Sequence, residues 1–472
     1  MPVPHRIHQR SVRRSIARIG SLACAVTLVT AAAGTATATA QPSVPKAENP
    51  LASTDIIAVM KEAESLIDTQ VVGEAKQQAR QYLVGTPAAT TYSGKEKNLS
   101  DLPRYVDEMS LAQCIQVVNS DPDRPRISST AMFGARYAQD NPDTAYRGAA
   151  LAGDSAYKIH GKRNTTTYLA FQLVDGIYGE NGQTPASLAV IDGTQLDVSP
   201  DGTFDITLDA SPAEGRRNHI QLPADSRKLK LIVRDTYTDW NAVPAELTID
   251  RISGPPKQPE ASKQDKARRC ADLIRAATPY WDGFMQRFHA PVPANTLLPI
   301  RPSTPGGLTG QTSTVGRFDL RPDQALVLTV DPHGAEYMGF QTGSDWYMSI
   351  NYANHTSSLN NKQARPNPDG SITYVLSASD PGVANWIDTA NHPTGLTQIR
   401  WHGLPQPIPA GYQPTARVVN LSELSSALPA DTPTTTDRAA QIAERQSQVR
   451  ARFDGIPPRL VPFDLATFEP LP

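Results

Sequence analysis

A chain of 472 residues exceeds what one hydrophobic core usually holds, so two or three domains are expected. Hydrophobic (39%) and charged (19%) fractions exclude wholesale disorder, and 41 prolines against 30 glycines favour a loop-rich, β-dominated chain over a helical bundle. The formal net charge of −2 falls to −7 without the first forty residues, which hold five arginines and no acid, and that excludes nucleic-acid binding.

The chain opens with Arg6, Arg10, Arg13, Arg14 and Arg18, an apolar stretch from Ile19 to about Ala33, and the small-residue run Ala38-Thr39-Ala40. Basic, then apolar, then small is the layout of a cleavable export signal, so residues 1–40 are expected to be removed and the protein to work in a secreted or cell-envelope compartment. The apolar run is shorter than the roughly 20 residues that span a bilayer, so no transmembrane anchor is expected after cleavage. Arg13-Arg14 only faintly echoes a twin-arginine signal, which leaves general secretion as the expected route. Cys24 lacks the apolar run a lipoprotein signal would place before it. In an oxidising compartment the two remaining cysteines, Cys114 and Cys270, either form one disulfide or stay as two buried thiols.

Residues 41–135 read as a linker and a helical region: Ile56, Ile57, Met60, Ala63 and Ile67 recur at helical steps, predicting a helix from Thr54 to about Leu83, and a second covers about 100–118. Residues 136–252 form the first β region, with strands predicted at Tyr168–Val174, Thr203–Leu208, Leu229–Val233 and Leu247–Ile252. Residues 253–322 contain a polar linker, a helix over about 265–288 and a Pro/Gly/Thr-rich stretch. The second β region spans 323–410. A proline-rich segment and a final helix, about 437–453, occupy 411–472.

The two β regions repeat one another. Asp154-Ser-Ala and Tyr168-Leu-Ala-Phe171-Gln172 match Asp323-Gln-Ala and Tyr337-Met-Gly-Phe340-Gln341. Pro200-Asp-Gly202 matches Pro368-Asp-Gly370, Asn218 matches Asn385, and Arg234 matches Arg400. The expected fold is therefore mainly β with flanking helices, built on two internally duplicated jelly-roll or β-sandwich domains, since a lone sheet leaves one face wet.

In the second half, Tyr337-Met-Gly-Phe-Gln-Thr-Gly-Ser-Asp-Trp346, Asn351-Tyr-Ala-Asn354, Ser357-Ser-Leu-Asn360, Asp380-Pro-Gly-Val-Ala-Asn-Trp-Ile-Asp-Thr389 and Ile399-Arg-Trp401 resemble the domain-of-unknown-function family 1214. Asn141-Pro-Asp-Thr-Ala-Tyr146, before the first sandwich, is similar to what precedes its companion, domain of unknown function 1254. The resemblance covers about 335–403 closely and 135–252 loosely. It implies exported bacterial proteins with jelly-roll-like domains and transfers no catalytic residue.

Chemistry-bearing motifs are sparse. Gly153-Asp-Ser155 echoes an esterase block, but the duplicate of Ser155 is Gln324, which favours a strand-entry aspartate. There is no Gly-x-Ser-x-Gly, no phosphate-binding glycine loop and no His-Glu-x-x-His, and His333, His355, His392 and His402 lack tight ligand spacing, so neither cofactor nor metal is expected. Asp380 and Asp388 flank Asn385-Trp386 and are the candidate carboxylates for glycosidic chemistry; alternatively they form a turn and a cap. Polar residues shared by both halves (Gln172/Gln341, Asn218/Asn385, Arg234/Arg400) suggest structural duty. Residues special to the second, namely Trp346, Tyr352, Asn354, Asn360, Asp380 and Trp386, are the candidate ligand-binding set, and Tyr237, Asp239 and Trp240 are the first half's own cluster. The expected function is binding of a carbohydrate or lipid through the second sandwich. The alternatives are an extracellular carboxylate-dependent hydrolase acting on glycans and a structural scaffold; no residue specifies an oligomeric state. Protein recovered from the producing cell should begin near Gln41 by N-terminal mass spectrometry. Full-length chain in the inner membrane would contradict the export signal.

Overall fold

Strands whose alternate residues are large and apolar bury one face, and here four sheets do so in pairs. The computed structural model describes residues 48–302, 308, 310–435 and 437–471; the export signal expected over 1–40 lies outside them. The helices are α1 (Thr54–Ile67), α2 (Gln70–Leu83), α3 (Pro87–Thr90), α4 (Lys95–Val118), α5 (Lys263–Phe288), α6 (Leu424–Ala427) and α7 (Arg438–Ala451). The strands of the first half are β1 (Ser128–Ala131), β2 (Thr144–Leu151), β3 (Ala156–Lys162), β4 (Tyr168–Val174), β5 (Ser187–Ile191), β6 (Thr203–Asp209), β7 (His219–Gln221), β8 (Leu229–Thr236) and β9 (Glu246–Ser253). Those of the second are β10 (Thr296–Leu297), β11 (Arg301–Pro302), β12 (Thr312–Asp319), β13 (Gln324–Val330), β14 (Tyr337–Ser344), β15 (Met348–Ser349), β16 (Ser358–Asn360), β17 (Ile372–Ser377), β18 (Trp386–Asp388), β19 (Thr394–His402) and β20 (Thr415–Asn420).

The first pair joins the sheet β1-β2-β8-β4-β5 to the sheet β7-β6-β3-β9, around Phe171, Leu173, Ile206, Leu231 and Val233. The second joins β10-β12-β19-β14, with β15 and β16 both on β14, to β18-β17-β13-β20, around Phe340, Leu328, Tyr374, Ile399 and Trp401. Strand order and sense correspond between the pairs. Arg234 stands opposite Ala170, and Arg400 opposite Gly339, in each case the residue before the core phenylalanine. Asp201 and Asp369 each accept from the backbone N–H and hydroxyl two residues on, Thr203 and Ser371, while Gly202 and Gly370 take left-handed φ values of 85° and 86°. Asn218 and Asn385 accept through their carbonyls from Thr207 and Val375, where β6 and β17 meet the short parallel strands.

The two larger sheets turn their outer faces toward each other. The Tyr168 ring lies 4.7 Å from that of His402, and the Tyr337 hydroxyl donates to Asp143 at 2.9 Å. Asp143 is almost fully buried and also accepts from Trp240 Nε1 (2.6 Å) and Asn360 Nδ2 (2.9 Å), tying the halves together without an ion pair among the described residues.

The helices brace this stack. The sequence predicts one helix over 54–83, but Thr69 is extended: its hydroxyl donates to the Leu66 carbonyl, and its own carbonyl starts α2 by accepting from Val72 and Gly73. Helix α4 begins five residues earlier than expected, at Lys95. Cys114 of α4 and Cys270 of α5 form a disulfide across a sequence separation of 156, with Cα atoms 4.9 Å apart. Closing so long a loop restrains the unfolded chain by roughly 4–5 kcal/mol in chain-entropy terms.

Glu108 of α4 lies inside a buried network with Arg136, whose Nε reaches it at 2.7 Å, and Arg104, whose Nε reaches it at 2.9 Å. Burial opposes its ionisation, but the two guanidiniums outweigh that and hold the carboxyl at about 2, below its ordinary 4.5. A depressed carboxyl contributes fully above about pH 4.5 and loses that contribution as pH falls through about 2. Glu108→Gln, which strands Arg136 in the interior, should cost about 3–5 kcal/mol in denaturant unfolding and flatten the acid limb of the stability profile. An unchanged acid limb would contradict this assignment.

Candidate functional site

Where the facing sheets and α5 diverge they enclose a cavity of about 200 Å³. Strand β8 sends Leu229, Leu231 and Val233 into the first core, so Lys230, Ile232 and Arg234 point the other way and line the cavity. Gln398 and Arg400 of β19 line it from the second half. The arginines are held alike: Arg234 Nη1 donates to Gln172 Oε1 at 2.5 Å, and Arg400 Nη1 donates to Gln341 Oε1. Arg400 Nη2 also donates to the Gln139 carbonyl at 2.8 Å. Neither has a carboxylate partner among the described residues.

Helix α5 supplies the aromatic wall. Trp281 stacks between Tyr178 (6.2 Å) and Tyr347 (5.6 Å) and meets Tyr137 edge-on at 5.9 Å. Phe284 and Phe288 continue the wall toward His289, whose imidazole burial pushes down to about 4, keeping it neutral. Burial also raises the hydroxyls of Tyr137 and Tyr347. Asp140 sits at one edge, where burial, outweighing Arg136 and Ser349, pushes its carboxyl up to about 6. Four lining residues carry buried polar atoms without a partner among the described residues: both side-chain atoms of Gln139, Trp281 Nε1, His289 Nδ1 and Ser313 Oγ. Buried polar atoms are rarely left unmet, so this lining has unused hydrogen-bonding capacity.

The residues singled out in the sequence lie elsewhere. Trp346 stacks on Tyr105 (5.8 Å) in the helical core and donates to the Asn98 carbonyl. Tyr352 packs against Trp240 (5.8 Å) and Phe133, and Asn360 reaches the same Trp240 through Asp143. Asn354 donates to Thr467 and Glu469 near the C-terminus. Asp380 pairs with Arg438 at 3.0 Å, and the same guanidinium lies 5.0 Å over the Trp386 ring. Asp388 pairs with His355 at 2.7 Å, so the two candidate carboxylates hold separate partners. Among the described residues, no cluster of three His, Cys, Asp or Glu could hold a metal ion, and no helix is long and apolar enough to cross a membrane. The cavity residues escape sequence reasoning because they come from strands, a helix and a loop far apart in the chain. One usable signal was present: the repeated arginine stands mid-strand on the face opposite the apolar alternation.

Residues 134–237 match the family described as "Protein of unknown function (DUF1214)", the family resembled in sequence; the matched span lies within the first sheet pair, where the resemblance is loose (135–252), while its close part covers 335–403. The chain is similar to the crystal structure of an uncharacterised protein from Burkholderia cenocepacia, at 27% identity and a TM-score of 0.65, over 76% of this chain and 99% of that one. The VPA0106 protein from Vibrio parahaemolyticus aligns over 77% of this chain and 100% of its own, but at 13% identity and a TM-score of 0.38. No curated protein matches the chain.

Trp386 is packed with Val327, Val375 and Leu424 and donates to the Ser377 carbonyl. Trp386→Ala should therefore cost about 3–5 kcal/mol in thermal or denaturant unfolding. Near-normal stability with loss of a ligand would instead place a binding surface there.

Proposed function

We propose that this chain binds a small amphipathic carboxylate, with an aromatic or short acyl body, in the cavity between its sheet pairs. One observation carries the reading: Arg234 and Arg400 face an aromatic-walled cavity from matching positions of the two halves and have no carboxylate partner among the described residues. A guanidinium fork suits a carboxylate, and Trp281, Tyr178, Tyr347 and Phe284 suit a flat or apolar body. Of the two ligand classes expected from sequence, this lining favours a lipid-like acid over a neutral carbohydrate, and it supports a ligand at the seam, beside the second sandwich.

We also infer that the sheet pairs are copies of one unit, which would explain why a family matched on the first is resembled by the second. The common strand order, the Arg–Gln pairs and the Asp–Gly turns support this. Export to the envelope, inferred from residues 1–40, would give such a protein access to acids outside the cytoplasm.

Thermal-shift and calorimetric titration with aromatic and medium-chain acyl acids, their matched alcohols, and neutral oligosaccharides tests the reading. The acids should stabilise the protein and the alcohols should not. Arg400→Gln or Arg234→Gln should weaken binding about tenfold or more, the scale of one lost charged hydrogen bond. Equal binding of alcohols, or indifference to both substitutions, would contradict it.

A further inference from the structure

The inner cavity does not end blindly at Lys230. Lys230 and Gln116 line it and also line a second cleft, of about 140 Å³, bordered by Gly176, Glu180, Arg227, Lys228 and Arg269. The Lys230 side chain thus stands where two cavities meet, on the same strand face as Arg234 and about 13 Å from it at 3.3 Å per residue. Its Nζ donates to Gln116 Oε1, and it has no ion-pair partner among the described residues. Lys230 is partly exposed, yet a lysine lining cavities on two sides without a carboxylate partner is unusual, since an ammonium drawn away from water normally acquires one.

The surroundings bear on its charge. Burial lowers the amine to about 7, against a weaker upward pull from Glu180. From its own strand region Arg227 is neutralised by Asp154 and Asp123, while Lys228 borders the cleft. From α5, Arg269 donates to Ser120; from α4, Gln116 and Asn119 are uncharged. A large fraction of the amine is therefore neutral near pH 7, with its lone pair free, in a site open to small molecules.

We propose that Lys230 is a carbonyl-reactive amine that captures an aldehyde or ketone as a Schiff base where the two cavities join. The Nζ lone pair forms a bond to the carbonyl carbon as the C=O π pair moves to oxygen. Proton transfer from nitrogen to that oxygen gives a carbinolamine, and loss of the oxygen as water, carrying both amine protons, leaves the imine. No oxidant or reductant is consumed. The reaction does not depend on the arginine pair, so an uncharged carbonyl compound tests it separately from carboxylate binding.

The experiment uses the mature chain, benzaldehyde and sodium cyanoborohydride, with peptide mapping across pH 6–10. Lys230 should acquire the benzyl group at least about tenfold faster than exposed Lys257 and Lys263 at pH 7, because an ordinary lysine is almost wholly protonated there. That ratio should fall toward one as pH approaches 10, and Lys230→Arg should abolish the fast labelling with an unchanged circular dichroism spectrum. Should that variant fail to fold, mapping of the unsubstituted protein decides alone. An unlabelled Lys230, or one labelled no faster than Lys257, overturns the proposal.

Discussion

Two sheets that keep polar residues on their facing surfaces can be stacked only if those residues are satisfied in place, and this constraint organises the molecule. Asp143 meets it at one end of the seam by accepting from Tyr337, Trp240 and Asn360 at once. Arg234 and Arg400 meet it further along by leaning on Gln172 and Gln341. Each guanidinium is thereby held by neutral partners, and full positive charge remains where the sheets part. Arg400 is buried and Arg234 partly so; a charge withdrawn from water without a counter-charge is costly, and the proposed anionic ligand would supply one.

The helices convert that seam into an enclosure. Helix α5, capped by Ser262 and fixed to α4 through Cys114–Cys270, lays Trp281 and Phe284 along the open side. Helix α7 closes the far side of the seam: Arg445 donates to the Tyr352 and Ser358 carbonyls and stacks over Trp240 at 4.5 Å. On this helix Arg445 is buried in the joint while Arg450 stays exposed.

Much of the frame was legible because turn chemistry and alternation are local. Asp-Gly at 201–202 and 369–370 and the Tyr-x-x-Phe-Gln strands mark equivalent places in both sheet pairs. β2 escaped notice because Thr144–Leu151 is rich in alanine and glycine and holds its place through neighbours, not propensity. The single predicted helix over 54–83 divides at Thr69, whose hydroxyl offers the backbone an alternative bond. The site was least legible. Repetition marked Arg234 and Arg400 as structural, and they do tie their glutamines, but the same repetition brings both to one cavity across a seam that no local pattern reports.

The central claim is that these two arginines together receive a carboxylate. A crystal grown with 4-bromobenzoate tests it most directly, because bromine scatters anomalously and fixes the orientation of the bound acid. The account predicts a bromine peak against Trp281 and Phe284, with the carboxylate oxygens within hydrogen-bond reach of both Arg234 and Arg400. An empty cavity at saturating ligand, or a bromobenzoate bound away from both guanidiniums, would contradict it.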